Sequence, residues 1–148
     1  MRRKKIFFIV LGFIAITAII YGYQEYTRSV EDLLYVKEDY KIEAIEFLGK
    51  FEANEKDANE KYLDKIVAVK GAIKDIIKDD RGFYTVIIGV KENSSSVRCS
   101  VNPDHQDKAD LLQMGNSVTI KGVCTGFNAD ELLGSDVILN RCVIAEIN

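Results

Sequence analysis

Arg2, Arg3, Lys4 and Lys5 are followed at once by an 18-residue run, residues 6–23, in which Thr17 is the one clearly polar side chain. No other feature of the 148-residue chain restricts its folding so strongly. At ~1.5 Å per residue a helix over this run is roughly 27 Å long, close to the ~30 Å hydrocarbon core of a bilayer. Backbone groups in lipid must be hydrogen-bonded within the segment, so the run is expected as a helix. Lys and Arg stay on the cytoplasmic side. Residues 1–5 therefore read as a cytoplasmic basic tail, residues 6–23 as a transmembrane anchor, and residues 24–148 as extracytoplasmic, on the periplasmic side of a bacterial inner membrane. Tyr21, Tyr23 and Tyr26 fall where such a helix leaves the lipid. A cleaved signal peptide is the competing reading, and it needs small residues at the −3 and −1 positions behind the apolar run. Ile16 precedes Ala18 and Ile20 precedes Gly22, so neither site fits, and Thr27-Arg28-Ser29 lies well beyond the run. Cys99 is the first cysteine, which leaves no early residue for lipid modification.

The formal net charge of −3 averages two unlike pieces. Residues 1–23 carry four basic and no acidic side chains, whereas the remaining 125 residues carry 16 basic and 23 acidic. With 47% hydrophobic and 29% charged residues, ten Gly and one Pro, that acidic part has the composition of a single folded domain. An acidic helical stalk that packs on the barrel is expected over residues 24–63. Ser29 and Asp32 supply a start signal, and Ala44, Phe47, Leu48, Phe51, Ala58 and Tyr62 form one apolar stripe at helical spacing. Asn54, three residues before Asp57, reads as a break with a fresh N-cap. Six basic and eleven acidic residues make the stalk's outer face anionic. That face is either simply solvated or, through Glu43, Glu46 and Glu52, a docking surface for a basic partner.

After Lys65 the period changes from helical to alternating. Strands are expected over residues 66–77, 83–90 and 96–101, a short helix opens at Asn102-Pro103-Asp104 and stops at Gly115, and two further strands span 117–127 and 136–147. Three strands, a helix and two strands within residues 64–148 is the element order of the OB-fold, a five-stranded Greek-key barrel. The expected fold class is thus mainly β with helices, a barrel preceded by the stalk and the anchor. Val67-Ala68-Val69-Lys70-Gly71-Ala72-Ile73 and Val118-Thr119-Ile120-Lys121-Gly122-Val123-Cys124 repeat one pattern, as paired first and fourth barrel strands would. A mid-strand Gly permits a bulge or a close approach.

Phe51-x-x-Asn54-Glu55-x-x-Ala58-x-x-Lys61-Tyr62-x-x-Lys65, Val69-x-Gly71, Val97-x-Cys99, Lys121-Gly122-x-Cys124-x-Gly126 and Cys142-Val143-Ile144 together resemble the bacterial tRNA anti-like OB-fold proteins. The resemblance covers residues 44–147. It implies an OB barrel that is membrane-anchored or exported, and it brings no catalytic residue with it.

Nothing in the residues builds a reaction site. His105 is the one histidine and is expected on the surface or in a cap. Cys99, Cys124 and Cys142 are 25 and 18 residues apart, unlike zinc-ligand spacing, and no phosphate-binding glycine loop occurs. No metal or cofactor is expected. Outside the cytoplasm a disulfide persists. Cys124 and Cys142, on neighbouring barrel strands, are the candidates for one, while core packing of three free thiols fits equally well. OB barrels bind on the face of strands two and three, flanked by the loops joining strands one to two and four to five. Arg81, Phe83, Tyr84, Arg98, Ser100, Phe127 and Asn128 are the candidate ligand residues there. Single-stranded nucleic acid needs a basic groove with exposed aromatics. Residues 64–148 hold ten basic and twelve acidic side chains and three aromatics, so nucleic acid is the weaker expectation. A non-catalytic, membrane-tethered module for a protein, peptide or glycan is the leading one, with an assembly role through the acidic helix as the alternative.

Overall fold

Strand formation follows the alternating, β-branched part of the chain, and among the described residues from Asp32 on, helix forms in two short stretches before it and one turn within it. The structure, a computed structural model, describes residues 16, 17, 21, 32–130 and 134–147. It separates into two units, Met1–Glu31 and Asp32–Asn148. The described positions of the first, Ile16, Thr17 and Tyr21, are helical. The expected anchor over 6–23, the basic tail and the Ser29 start signal lie outside the described residues. Among the described residues no helix is long and apolar enough to cross a membrane.

The second unit runs β1 (Tyr40–Glu43), α1 (Ala44–Ala53), α2 (Glu55–Tyr62), β2 (Ile66–Lys78), β3 (Tyr84–Ile88), β4 (Ser96–Val101), a 3-10 turn (Pro103–His105), α3 (Gln106–Ala109), β5 (Ser117–Asn128) and β6 (Asp136–Ile147). The sheet order is β1-β2-β3-β4-β6-β5, and β2 also pairs with β5, which closes β2 to β6 into a five-stranded barrel. The repeated sequences do pair with each other, with Val69 opposite Ile120 and Gly71 opposite Val118. Their glycines are there for space. A Cβ on Gly71 would stand 2.5 Å from Ile88 Cγ2, and one on Gly122 would stand 2.5 Å from Cys142 Sγ.

The stalk requires correction. Residues 32–39 are turns and bends, and Tyr40–Glu43 is a strand parallel to β2, with Ile42 opposite Val69. Tyr40 and Ile42 alternate with Lys41 and Glu43, a period of two that the surrounding helix formers hide. Among the described residues from Asp32 on, helix begins at Ala44, and Asn54 divides it as expected, its side-chain oxygen accepting from the Asp57 amide at 3.2 Å. The predicted apolar stripe is the part of α1 and α2 that lies in the barrel core: Ala44, Phe47, Leu48, Phe51, Ala58 and Tyr62 are all buried in one cluster with Val69, Val97 and Ile120. Burying a Leu or Phe side chain is worth roughly 1.5–3 kcal/mol. The helices are therefore packed on the barrel as a cap over one end.

Residues 32–39 lie along the barrel as a strap. Lys121, buried although charged, donates to the carbonyls of Val36 at 2.7 Å and Leu34 at 3.5 Å and sits 3.7 Å from Glu38. Asp39 and Ile66 exchange two bonds, at 2.8 and 2.9 Å. Asp32 meets His105 Nε2 at 2.7 Å. His105, expected at the surface or in a cap, is thus a half-buried clasp for the strap.

Candidate functional site

The structure distributes the seven expected ligand residues over both ends of the barrel and its core. Tyr84 is buried, and its hydroxyl donates to Asp110 while accepting from Lys78 Nζ at 2.7 Å. That bond holds the Lys78 ammonium above its ordinary range. Phe127 is taken up by the helical cap, stacked on Phe51 with ring centroids 5.2 Å apart. Arg81 stays in the β2–β3 turn, 3.5 Å from Asp79, with its guanidinium 5.3 Å above the Phe83 ring. Ser100 is half-buried opposite Thr85. Arg98 and Asn128 alone come together, in a cleft of about 550 Å³.

This cleft lies on the outer wall formed by β2, β3, β4 and β6, under the β3–β4 and β5–β6 connections. Its walls include Lys74, Asp75, Ile87, Ser96, Asp136 and Ile138. Strand geometry places them together: Arg98 is opposite Ile87 on β3 and Ile138 on β6, so one charge and two apolar side chains project to the same side. Arg98 donates from Nε to Asp136 at 2.6 Å, and its side chain remains 45% exposed, so the rest of the guanidinium is open to a ligand. Asp136 also accepts from Ser96 Oγ at 2.5 Å. Lys74 bonds the carbonyls of Asn93 at 2.6 Å and Ser94 at 3.3 Å, which fixes the β3–β4 connection over the cleft. Ser95 ties the same connection to the cap through Glu52, at 2.8 Å. Of the acidic docking set, Glu52 stays exposed while accepting this bond, and Glu43 and Glu46 line a groove of about 420 Å³ across the barrel.

Lys74, Asp75 and Asp136 were absent from the sequence-derived site. A signal for the first two exists: Lys74-Asp75 interrupts an otherwise apolar strand, and a register shift falls between Ile73 and Asp75. A bulge of this kind turns a charged pair toward a ligand face.

The cysteines are all buried and unbridged. The expected Cys124–Cys142 pair is not brought together: Cys124 is opposite Leu139, while Cys142 lies across from Val101 with its thiol in hydrogen-bond contact with the Cys99 thiol. Burial pushes the Cys124 thiol up to about 11 and the Cys142 thiol upward as well. Among the described residues no group of three or more His, Cys, Asp or Glu is placed to hold a metal ion.

The sequence profile of the tRNA anti-like family matches residues 1–143. A crystal structure from Klebsiella pneumoniae, provisionally described as a nucleic acid-binding lipoprotein, is 19% identical over 74% of this chain and 92% of its own, with a TM-score of 0.56. At that identity the likeness is one of fold. An OBody bound to hen egg-white lysozyme matches at 20% identity, 59% and 82% coverage and a TM-score of 0.43. A provisionally described aspartyl-tRNA synthetase from Leishmania major matches at 11%, 80% and 23%, with a TM-score of 0.47. The last two scores are too low to add to the fold assignment. No curated protein matches the sequence.

Proposed function

This chain belongs to the tRNA anti-like family, and from that premise we propose that it is a non-catalytic OB-type binding module, tethered to the membrane by residues 6–23 and exposed outside the cytoplasm, that holds a polypeptide in the cleft around Arg98. The observation that carries the reading is the cleft's chemistry. It offers Lys74 and Arg98, the carboxylates of Asp75 and Asp136, and the apolar side chains of Ile87 and Ile138, with no aromatic ring among the described residues of its walls. Protein, peptide and glycan ligands all suit an OB face in general. A sugar site gains most from an exposed ring, and a single-stranded nucleic acid needs stacking rings in a basic groove. A polypeptide of mixed charge needs neither. Tethering is supported by the apolar run behind four cations and by the description of the Klebsiella protein as a lipoprotein.

That same description makes nucleic acid the second reading, and the two are separable. Random dodecapeptides selected on the full chain are expected to bind R98E at least about tenfold more weakly, the size of effect typical of a central interface residue. Selected peptides that bind wild type and R98E equally overturn the reading. So does tight binding of oligo-dT with a steep salt dependence, the signature of phosphate contacts.

A further inference from the structure

The walls of the Arg98 cleft are ordered across the strands. Asp75 on β2 is opposite Ile87 on β3, Ile87 is opposite Arg98 on β4, and Arg98 is opposite Ile138 on β6. Side chains at opposed positions share a face of the sheet. All four line the cleft, so they form one row in it: acid, apolar, base, apolar. Ile87 is buried between the two charges, and Ile138 is half-buried beyond them.

Asp75 and Arg98 are the charges that this row presents to solvent. Asp75 is exposed and accepts from the Ile76 amide, at 2.8 Å, through one carboxylate oxygen. Arg98 gives Nε to Asp136 and keeps its side chain 45% exposed. Lys74, by contrast, is turned to the carbonyls of Asn93 and Ser94, and Asp130 lies off the row in the β5–β6 connection. Neighbouring strands are about 4.8 Å apart, so the backbones under Asp75 and Arg98 are roughly 9.6 Å apart. A polypeptide crossing the strands along the row meets the two charges at that interval. Polyproline II has three residues per turn, which puts residues i and i+3 on one face about 9.3 Å apart. An extended strand brings same-face residues to about 6.7 or 13.4 Å, and neither matches. A helix matches less closely, with residues seven apart at about 10.5 Å.

We propose that the cleft takes its polypeptide across the strands in the polyproline II conformation, with a basic residue on Asp75 and an acidic residue three positions away on Arg98. This deepens the polypeptide-binding reading above and rests on it. The row sets the spacing and the pair of charges but no chain direction, because a peptide turned end for end meets the same two charges. The recognised class is a proline-rich segment with opposite charges at i and i+3.

The test titrates the full chain, in detergent micelles, with three end-blocked hexapeptides followed by amide chemical shifts. They are Gly-Lys-Pro-Pro-Glu-Gly, the closer-spaced Gly-Lys-Pro-Glu-Gly-Gly and the like-charged Gly-Glu-Pro-Pro-Glu-Gly. The first is expected to bind at least about threefold more tightly than the other two, an effect within the range of one exposed ion pair. In D75K, a change at an exposed position, the preference is expected to pass to the like-charged peptide. Absence of the spacing preference, or of the switch in D75K, overturns the register, while dodecapeptides that R98E weakens keep the cleft reading standing. Dodecapeptides that bind wild type and R98E equally overturn both.

Discussion

The barrel's two ends are closed by different physics. At one end α1 and α2 contribute Phe47, Phe51 and Tyr62, which meet edge-to-face at 5.1 and 5.4 Å, and Phe51 adds the stacked Phe127. At the other, a single turn of helix and the residues after it bury Ala109 and Leu112 and are fastened by the polar chain Lys78–Tyr84–Asp110. An apolar plug stabilises through area removed from water. A polar fastening fixes geometry and contributes little net stability, because each bond replaces one to water. The cleft lies beside the plugged end, its walls including Ser94, Ser96 and Asp136.

The largest consequence is at the plug. Phe51→Ala should destabilise the chain by about 3–5 kcal/mol in urea or thermal unfolding. Phe83→Ala, an aromatic truncation at the exposed end, should fall within about 0.5 kcal/mol. Comparable losses at both would erase the distinction. Gly122→Ala comes next, since the new methyl would stand 2.5 Å from Cys142 Sγ and 3.1 Å from Leu139 Cβ. Overpacking of that kind costs about 1–3 kcal/mol, again read by unfolding. Asn54→Ala removes the N-cap that separates α1 from α2, with an expected loss of about 1 kcal/mol.

The smallest effect belongs to acid and to the fastened end. The Leu34 amide, with His105 beside it, holds the Asp32 carboxyl below its usual 3.8. The Phe83 and Arg81 amides do the same for Asp79. A carboxylate lowered by folding contributes stability that is complete above its unfolded value and is lost as pH falls through the lower folded one. Hydrogen exchange at the Leu34, Arg81 and Phe83 amides should therefore lose protection below pH 3.8, before amides beneath the cap do. Simultaneous loss at both ends would contradict it.

The barrel was legible because its signals are local. Period-two alternation, the repeated Lys-Gly strands and the Asn54 and Asn102 caps each act over a few residues. What escaped the sequence depends on contacts between distant positions. Tyr40–Glu43 is four residues long and becomes a strand only by lying parallel to β2. Phe127 reads as a free aromatic until Phe51, 76 positions earlier, stacks on it. Alternation in 83–90 did not say which aromatic turns inward, and the Lys78–Tyr84–Asp110 chain decides it by placing Tyr84 inside. The candidate ligand list followed the general OB face and so included Arg98 and Asn128. It missed Lys74, because a register shift between Ile73 and Asp75 adds β2 to that face.

The most direct test of the binding-module account is an amide chemical-shift map of the full chain titrated with a peptide selected on it. The account predicts perturbations centred on Lys74, Ser96, Arg98, Asn128 and Asp136, lost in R98E while the spectrum of the folded chain is kept. Perturbations centred on residues 79–84 and 111–116, at the opposite end of the barrel, would contradict it.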